Sequence, residues 1–340
     1  MEAARLKSAA RIRPAAYLVL LVASLTAPLV FSNYVTQLAF LWVMVLFALT
    51  WDLLGGQMGY NSFGNIVFFG IGAYACAVVQ RDWGLGYAPG LAVGMLAAAV
   101  LAVGAAAVLG AAILGLRGHY FAICTLGLGI AAGELAAGFD FIGAGSGLVT
   151  PVFPGEIDER NLVYYYLFLA LAAAAFLTLR WLYSRQFGLG IRAIRDNEDK
   201  AEAMGIHTTR YKIAAWCVSA FFLGLSGAGV GNLIGFIDPR DVAFAASTFG
   251  VWMVLMAILG GSVSIWGPAI GAVVFHVTQE LFWTYLLGWQ RVALGLLIVV
   301  IVVFFPQGIT GWLRTRWPAL FGNVPVGAPG AAEGDAEAVP

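Results

Sequence analysis

The chain has 340 residues, of which 61% are hydrophobic and only 11% are charged. An average globular protein carries about 25% charged residues, so a soluble protein of this length would lack the charges needed to cover its surface. A disordered chain needs the opposite balance and is excluded as well. The composition indicates an all-helical, polytopic integral membrane protein. We also expect no nucleic-acid partner.

Long runs without Asp, Glu, Lys or Arg divide the chain into apolar segments. A helix needs about 20 apolar residues to cross a bilayer, and runs longer than one crossing are divided where Gly or Pro occurs, as at Pro28 and Gly90. We predict about ten transmembrane helices, within a range of eight to eleven. In chain order they cover residues 15–31, 35–54, 59–80, 88–116, 119–139, 162–183, 213–235, 243–259, 265–287 and 291–308.

The basic residues orient these helices, because the cytosolic loops of membrane proteins collect Lys and Arg. With both termini in the cytosol, only four of the 18 basic residues fall outside, namely Arg81, Arg160, Arg240 and Arg291. The predicted organisation is a basic cytosolic N-terminus at 1–14, a transmembrane domain at 15–310 with a cytosolic loop at 184–212, and a disordered cytosolic tail at 322–340.

The sequence lacks the motifs that would indicate catalysis. It contains no phosphate-binding G-x-x-x-x-G-K-[ST] loop, so we expect no nucleotide hydrolysis by this chain. His276 and Glu280 lie four residues apart on one predicted helix, but two ligands without a third are weak evidence for a metal. A buried hydrogen-bonded pair is the other interpretation. We therefore assign no catalytic residue, no metal and no cofactor to this chain.

The polar loop between the sixth and seventh predicted helices contains a short helix of its own. Asp196 or Asn197 suits the N-cap, Glu198 suits the first turn, and Gly205 supplies the stop. About two turns of helix are not stable alone in water, so something must hold it. It is either part of an ordinary solvated loop or a docking helix for a cytosolic partner. The residues assigned to docking are Asp196, Asn197, Glu198, Ala201, Glu202, Met204 and Gly205.

Residues 187–212 resemble the cytoplasmic loop of the branched-chain amino acid family of ABC permeases, and most of all its M-type subunit. In that family the core Glu-Ala-x-Gly, here Glu202, Ala203 and Gly205, contacts the ATP-binding subunit. The resemblance covers roughly residues 35–310. Further matching segments lie in the same order at 56–74, 116–123, 259–268 and 305–308.

The resemblance implies a permease subunit of an ATP-driven importer in a bacterial inner membrane. Its partners would be a second permease of the H type, two ATP-binding subunits that hold the ATP and Mg²⁺, and a soluble solute-binding protein. The solute would be a branched-chain or other hydrophobic amino acid, or a related small carboxylate or amide. Two alternatives belong to other classes: an ion-gradient-driven secondary transporter, and a membrane enzyme that uses His276 and Glu280.

Interrupted helices predict the translocation path. Aligning Ser62, Phe63 and Gly64 with residues 248–250 relates the third predicted helix to the eighth, five crossings later. An odd displacement reverses orientation, so the chain would consist of two inverted repeats of five helices. Exposed N–H groups at an interruption can donate hydrogen bonds to a carboxylate, although close packing through small residues explains the same composition. We assign to the path Asn61, Ser62, Gly64, Glu134, Ser247 and Thr248; Glu134 is included because an intramembrane charge faces the interior or water.

Overall fold

The computed structural model describes residues 19–261, 264–286, 288, 289, 292, 293, 295, 296, 299 and 308–316. The predicted cytosolic N-terminus at 1–14, the predicted tail at 322–340 and most of the predicted helix at 291–308 lie outside these residues. The helices are α1 Val19–Val30, α2 Val35–Met58, α3 Ile66–Asp82, α4 Tyr87–Ile113, α5 Gly118–Ala137, α6 Ile157–Tyr183, α7 Gln186–Asp196, α8 Glu198–Ala203, α9 Thr208–Ile234, α10 Val251–Gly260, α11 Trp266–Tyr285 and α12 Gly308–Arg316.

Six helical stretches in the described part of the chain are long and apolar enough to cross a membrane. They are Ser32–Met58, Tyr87–Ile113, Gly118–Ala137, Ile157–Tyr183, Thr208–Ile234 and Pro239–Gly260. This finding confirms the predicted class, a polytopic helical membrane protein. The total of about ten helices and the cytosolic termini stay predictions.

The observed helix ends differ from the predicted ones where polar residues or backbone geometry intervene. α6 begins at Ile157, before the predicted start at residue 162, because Glu156 and Glu159 form a capping box ahead of the apolar run. The third predicted helix was expected from residue 59, but α3 begins at Ile66. Gly59 ends α2 with a φ of +80°, a left-handed conformation that glycine adopts without strain.

The centre of the bundle is α2, which is buried along most of its length. Beside it, α4 packs on α3 and α9 through a stripe of small residues spaced four apart. The stripe comprises Gly90, Gly94, Ala98, Ala102, Ala106 and Gly110. A Cβ on Gly94 would lie 2.6 Å from Cys76 Sγ of α3. Since lipid tails are as apolar as the helices, this close approach of backbones stabilises the bundle by van der Waals contact.

As the chain runs from α2 to α9, its connections alternate between the two ends of the bundle. At one end, which we call the α8 side, helices α7 and α8 meet the connections at 59–65 and 114–117. At the other end, which we call the ribbon side, β1 (Leu148–Val149) pairs antiparallel with β2 (Phe236–Ile237). There the Arg81 guanidinium also donates to the Phe141 carbonyl at 2.9 Å. The loop at 184–212 therefore lies at the same end as the connections after α2 and α4.

Candidate functional site: the docking loop and two interrupted helices

The short helix predicted in the polar loop is confirmed as α8. The Asn197 side chain accepts a hydrogen bond from the Lys200 backbone N–H at 2.9 Å, which makes Asn197 the N-cap. Gly205 follows the helix with a φ of +88° and lets the chain turn towards α9. α7 was not predicted, because its two glycines, Gly188 and Gly190, lower helix propensity. These glycines instead allow close packing, Gly188 against Tyr183 and Gly190 against Tyr211.

A partly buried charged cluster holds α8 against the bundle. We call it the anchor cluster and define it as Glu198, Lys212, Tyr60 and Arg117. The Lys212 Nζ donates to Glu198 Oε1 at 2.7 Å, to the Leu114 carbonyl at 2.7 Å and to Tyr60 Oη at 3.0 Å. An ammonium has three N–H groups, so each of them has an acceptor. The Lys212 side chain is 2% exposed, and this full set of partners makes its burial tolerable.

The Glu198 carboxylate is the hub of the anchor cluster. It accepts from Lys212 and from the Tyr60 hydroxyl, and Arg117 Nε lies 3.3 Å from its second oxygen. Burial alone would raise the pKa of Glu198, but the hydrogen bonds from Lys212 and Tyr60 and the charge of Arg117 outweigh it. The Glu198 pKa therefore lies below its ordinary value, and the carboxyl group is charged at neutral pH.

The predicted docking residues divide into an inward and an outward group. Ala201 is buried against the bundle and Glu198 belongs to the anchor cluster. Asp196, Asn197, Glu202, Met204 and Gly205 are exposed, and the Met204 side chain is 84% exposed. The structure thus brings one group to the bundle and leaves the other available to a partner.

The first interruption, residues 59–65, links α2 to α3. Trp51 Nε1 donates to the Ser62 carbonyl at 2.6 Å, and the Phe63 N–H donates to Thr125 Oγ1 of α5 at 3.1 Å. Asn61 is exposed, whereas Ser62 is fully buried. Within the part of the chain that the structure describes, Ser62 Oγ and Asn65 Nδ2 have no hydrogen-bond partner. Two free polar atoms thus lie just before the first turn of α3.

The second interruption precedes α10 and consists of two π-helical turns, Pro239–Ala243 and Ala246–Gly250. The Asp238 side chain begins it by accepting from the N–H groups of Arg240 and Asp241 at 2.8 and 2.7 Å. Such π-helical turns are rare and occur frequently at functional sites. Thr248 is exposed, and the side chain of Ser247 lies outside the described residues.

The two interruptions meet against α5. A Cβ on Gly250 would lie 2.9 Å from the Phe63 carbonyl oxygen, and one on Gly64 would overlap the Thr125 backbone. Farther along α5, a Cβ on Gly129 would lie 3.0 Å from Ala246 Cβ. The segments that sequence comparison paired, 62–64 and 248–250, are therefore neighbours in space. The first reaches this point from the α8 side and the second from the ribbon side.

Glu134 lies apart from this meeting point. It occupies the last turn of α5 on the ribbon side, where its carboxylate accepts from Arg240 Nε at 2.9 Å and from Arg240 Nη2 at 2.8 Å. Both side chains are more than half exposed. Among the predicted path residues, Ser62 and Gly64 thus lie next to the 246–250 turn. Glu134 lies at the outer edge of the second interruption.

His276 and Glu280 do not form the hydrogen-bonded pair that their spacing allows. The His276 Nε2 lies 2.9 Å from the Gln37 carbonyl oxygen of α2, which fixes the ring against the central helix. This contact joins α11 to α2 and needs no participation of Glu280.

Sequence reasoning missed three members of the anchor cluster, Tyr60, Arg117 and Lys212. One signal was available for Lys212, because it directly precedes an apolar run that begins at residue 213. A lysine at the start of such a run needs an acid nearby if it is buried. Tyr60 and Arg117 carried no comparable signal, since their contacts with α8 are between residues far apart in the sequence.

Comparisons with known proteins identify related sequences. The family model for the branched-chain amino acid transport system permease component matches residues 33–304. The high-affinity branched-chain amino acid transport system permease protein LivM of Escherichia coli is 26% identical over 326 residues, covering 87% of this chain and 75% of the relative. LivM of Salmonella typhimurium is 26% identical over 301 residues, covering 81% and 69%.

A second kind of relative matches a shorter part of the chain. The permease protein LivH of Escherichia coli is 32% identical over 154 residues, which is 45% of this chain and 47% of the relative. No solved structure matches. The relatives are named as transport permeases and not as enzymes. Because the family model spans most of the chain, the protein belongs to the family of permease components of branched-chain amino acid transport systems.

Proposed function

We propose that this chain is the M-type permease subunit of an ATP-driven importer, and that α8 is the helix through which cytosolic ATPases act on it. The single observation that carries the proposal is the division of α8. One face is anchored in the bundle through Glu198 and Ala201, and the other exposes Glu202, Met204 and Gly205. A helix of six residues is not stable alone in water and must be held in place. Its free face can then enter a groove on a partner.

The proposed orientation places the α8 side in the cytosol, in a bacterial inner membrane. Arg117, Arg185, Arg192, Arg195 and Lys200 all lie in connections or short helices at the α8 side. Such an accumulation of basic residues is typical of cytosolic loops. The predicted total of ten helices, in two inverted repeats of five and with both termini cytosolic, accords with the alternation from α2 to α9.

The proposed path runs along α5, past the place where the two interruptions meet. Asn61, Ser62, Gly64, Ser247 and Thr248 would line it, with Glu134 at its outer edge. Irregular backbone is tolerated at membrane depth only where protein or a water-filled cavity satisfies it. The N-terminus of α3 carries a partial positive charge, and Ser62 Oγ and Asn65 Nδ2 add buried donors there. These groups suit a solute with a carboxylate or an amide.

The proposed solute is a branched-chain or other hydrophobic amino acid, or a related small carboxylate or amide. The support comes from the relatives' names and from the donors at the start of α3. The proposed partners are an H-type permease, two ATP-binding subunits that hold ATP and Mg²⁺, and a solute-binding protein at the ribbon side. Both LivM-type and LivH-type relatives resemble this chain, which supports a permease pair.

The test of α8 uses two variants of its free face, Glu202→Arg and Gly205→Pro. Each is expected to weaken capture of the ATP-binding subunits by the detergent-solubilised permease, and uptake by the reconstituted complex should fall with it. Asp140→Arg is the control for docking, because it makes a similar reversal of an exposed charge on the ribbon side. Docking and uptake that remain intact in both α8 variants would contradict the proposal.

A further inference from the structure

We propose that the anchor cluster is the link that transmits movement of α8 to the first interruption and to α5. In this view the positioning residues of the transport cycle are Glu198, Lys212, Tyr60 and Arg117. They contact no solute, but they make the meeting point of the two interruptions move with the ATPases. The inference rests on the proposed docking role of α8. It adds the route by which that role reaches the membrane interior.

The first step is that α8, Tyr60 and the start of α9 must move together. The Lys212 ammonium is 2% exposed and its three acceptors come from Glu198, Tyr60 and the Leu114 carbonyl. Moving α8 alone would withdraw Glu198 and leave a buried ammonium without its counter-charge. Such a separation is strongly unfavourable in a buried pair. Displacement of the cluster as one body keeps every contact.

The second step is that Tyr60 belongs to the interruption itself. Tyr60 is the second of the seven residues 59–65, and the Gly59 backbone before it packs against Arg195 of α7. At the other end of the same segment, the Phe63 N–H is bonded to Thr125 and Gly64 lies on the Thr125 backbone. A short, bonded segment thus runs from the docking helices to the meeting point of the interruptions.

The third step is a parallel connection through Arg117, the residue directly before α5. Its guanidinium lies 3.3 Å from Glu198 and 2.8 Å from Asp199, the first two residues of α8. The pairing raises the pKa of Arg117, chiefly through the hydrogen bond with Asp199. α8 is therefore tied to both elements that meet at Gly64 and Thr125, and its displacement moves them in concert.

A series of edge-to-face aromatic rings continues from the cluster into the core. The Tyr60 ring lies edge-to-face with Phe121 of α5 at 5.2 Å, and Phe121 lies 6.1 Å from Trp216 of α9. Trp216 Nε1 donates to Asn65 Oδ1 at the end of the interruption, at 2.9 Å. Close-packed rings transmit displacement because the interior has little free volume. Both ends of the 59–65 segment are thus joined to α5 and α9.

The discriminating experiment compares single and double neutralisation of the pair in the complete complex with its ATP-binding subunits and binding protein. Glu198→Gln and Lys212→Met each leave one buried charge, whereas the double variant leaves none and should recover thermal stability. We expect the number of solute molecules imported per ATP hydrolysed to fall about tenfold in all three, a typical size for a coupling free energy.

The matched control is Asp140→Asn, which makes the same carboxylate-to-amide change on the ribbon side, away from α8 and Arg117. Asp140 is exposed, and we expect a ratio within about twofold of the wild type because exposed charges contribute little. If the double variant recovers both stability and the transport ratio, the cluster is a static clamp and the proposal is wrong. A wild-type complex without binding-protein-stimulated uptake would instead overturn the proposed function.

Distances within the wild-type complex give a second test that does not depend on the folding of variants. Spin labels would be placed at Lys200 on α8, His119 on α5 and Val152 on the ribbon side, after replacement of Cys76, Cys124 and Cys217. All three labelled positions are exposed. Trapping ATP should change the Lys200–Val152 distance and leave the Lys200–His119 distance unchanged. A change between Lys200 and His119, or none between Lys200 and Val152, would overturn the proposal.

Discussion

At the scale of single residues, charges in this protein serve two different purposes. Lys212 is buried and Glu198 largely so, both are fully bonded, and removing either leaves the other without compensation. Glu134 and Arg240 form an equally well-aligned pair, but they lie exposed at the end of α5. Exposed pairs are screened by water and add little to stability. The Glu134–Arg240 pair therefore affects local geometry more than the free energy of unfolding.

The Glu134–Arg240 pair can be tested by exchanging its charges. Arg240→Glu alone brings three carboxylates together, counting Asp238 and Glu134, and should disturb the π-helical turns and reduce uptake. Glu134→Arg combined with Arg240→Glu restores opposite charges and should recover uptake to within about twofold. Uptake by the reconstituted complex is the measurement. Failure of the double variant, with normal assembly, would show that Glu134 is needed for itself and not for its partner.

At the scale of elements, local signals predicted α8 well and α7 not at all. The capping roles of Asn197 and Gly205 can be predicted from their immediate neighbours in the sequence. Both residues act as expected at the two ends of α8. The position of the first interruption depended instead on tertiary contacts, since Thr125 and Trp51 hold residues 62 and 63 out of the helix. The place of Lys212 in the anchor cluster was only partly predictable: its position before an apolar run was a signal, but two of its acceptors, Leu114 and Tyr60, come from distant parts of the chain.

The packing of α4 gives a prediction at this scale. Gly94→Leu places a side chain against Cys76 of α3 and should lower the free energy of unfolding by about 1–3 kcal/mol, the usual cost of overpacking. Gly104→Leu is the matched control in the same helix, because nothing lies within 4 Å of a Cβ there. Thermal unfolding in detergent compares the two. Equal melting temperatures would contradict the assignment of the α4 stripe as the contact surface with α3 and α9.

At the scale of the whole molecule, the composition alone predicted the class, and five matching segments predicted the family. The paired interruptions were predicted from a few residues and the structure makes them neighbours, at Phe63 and Gly250. What the sequence could not provide is the connection between the docking loop and that meeting point. It is made of buried contacts among α8, α9 and two short connections, and no periodicity or motif encodes such contacts.

The central claim is that this permease moves solute only when ATPases act on it through α8. The most direct measurement is accumulation of radiolabelled leucine, as the probe amino acid, in liposomes that contain either the complete complex or the permease pair alone. The complete complex, supplied with binding protein and ATP on the α8 side, should accumulate leucine. The permease pair should accumulate none, even under an imposed proton or sodium gradient. Accumulation by the permease pair without the ATP-binding subunits would contradict the account.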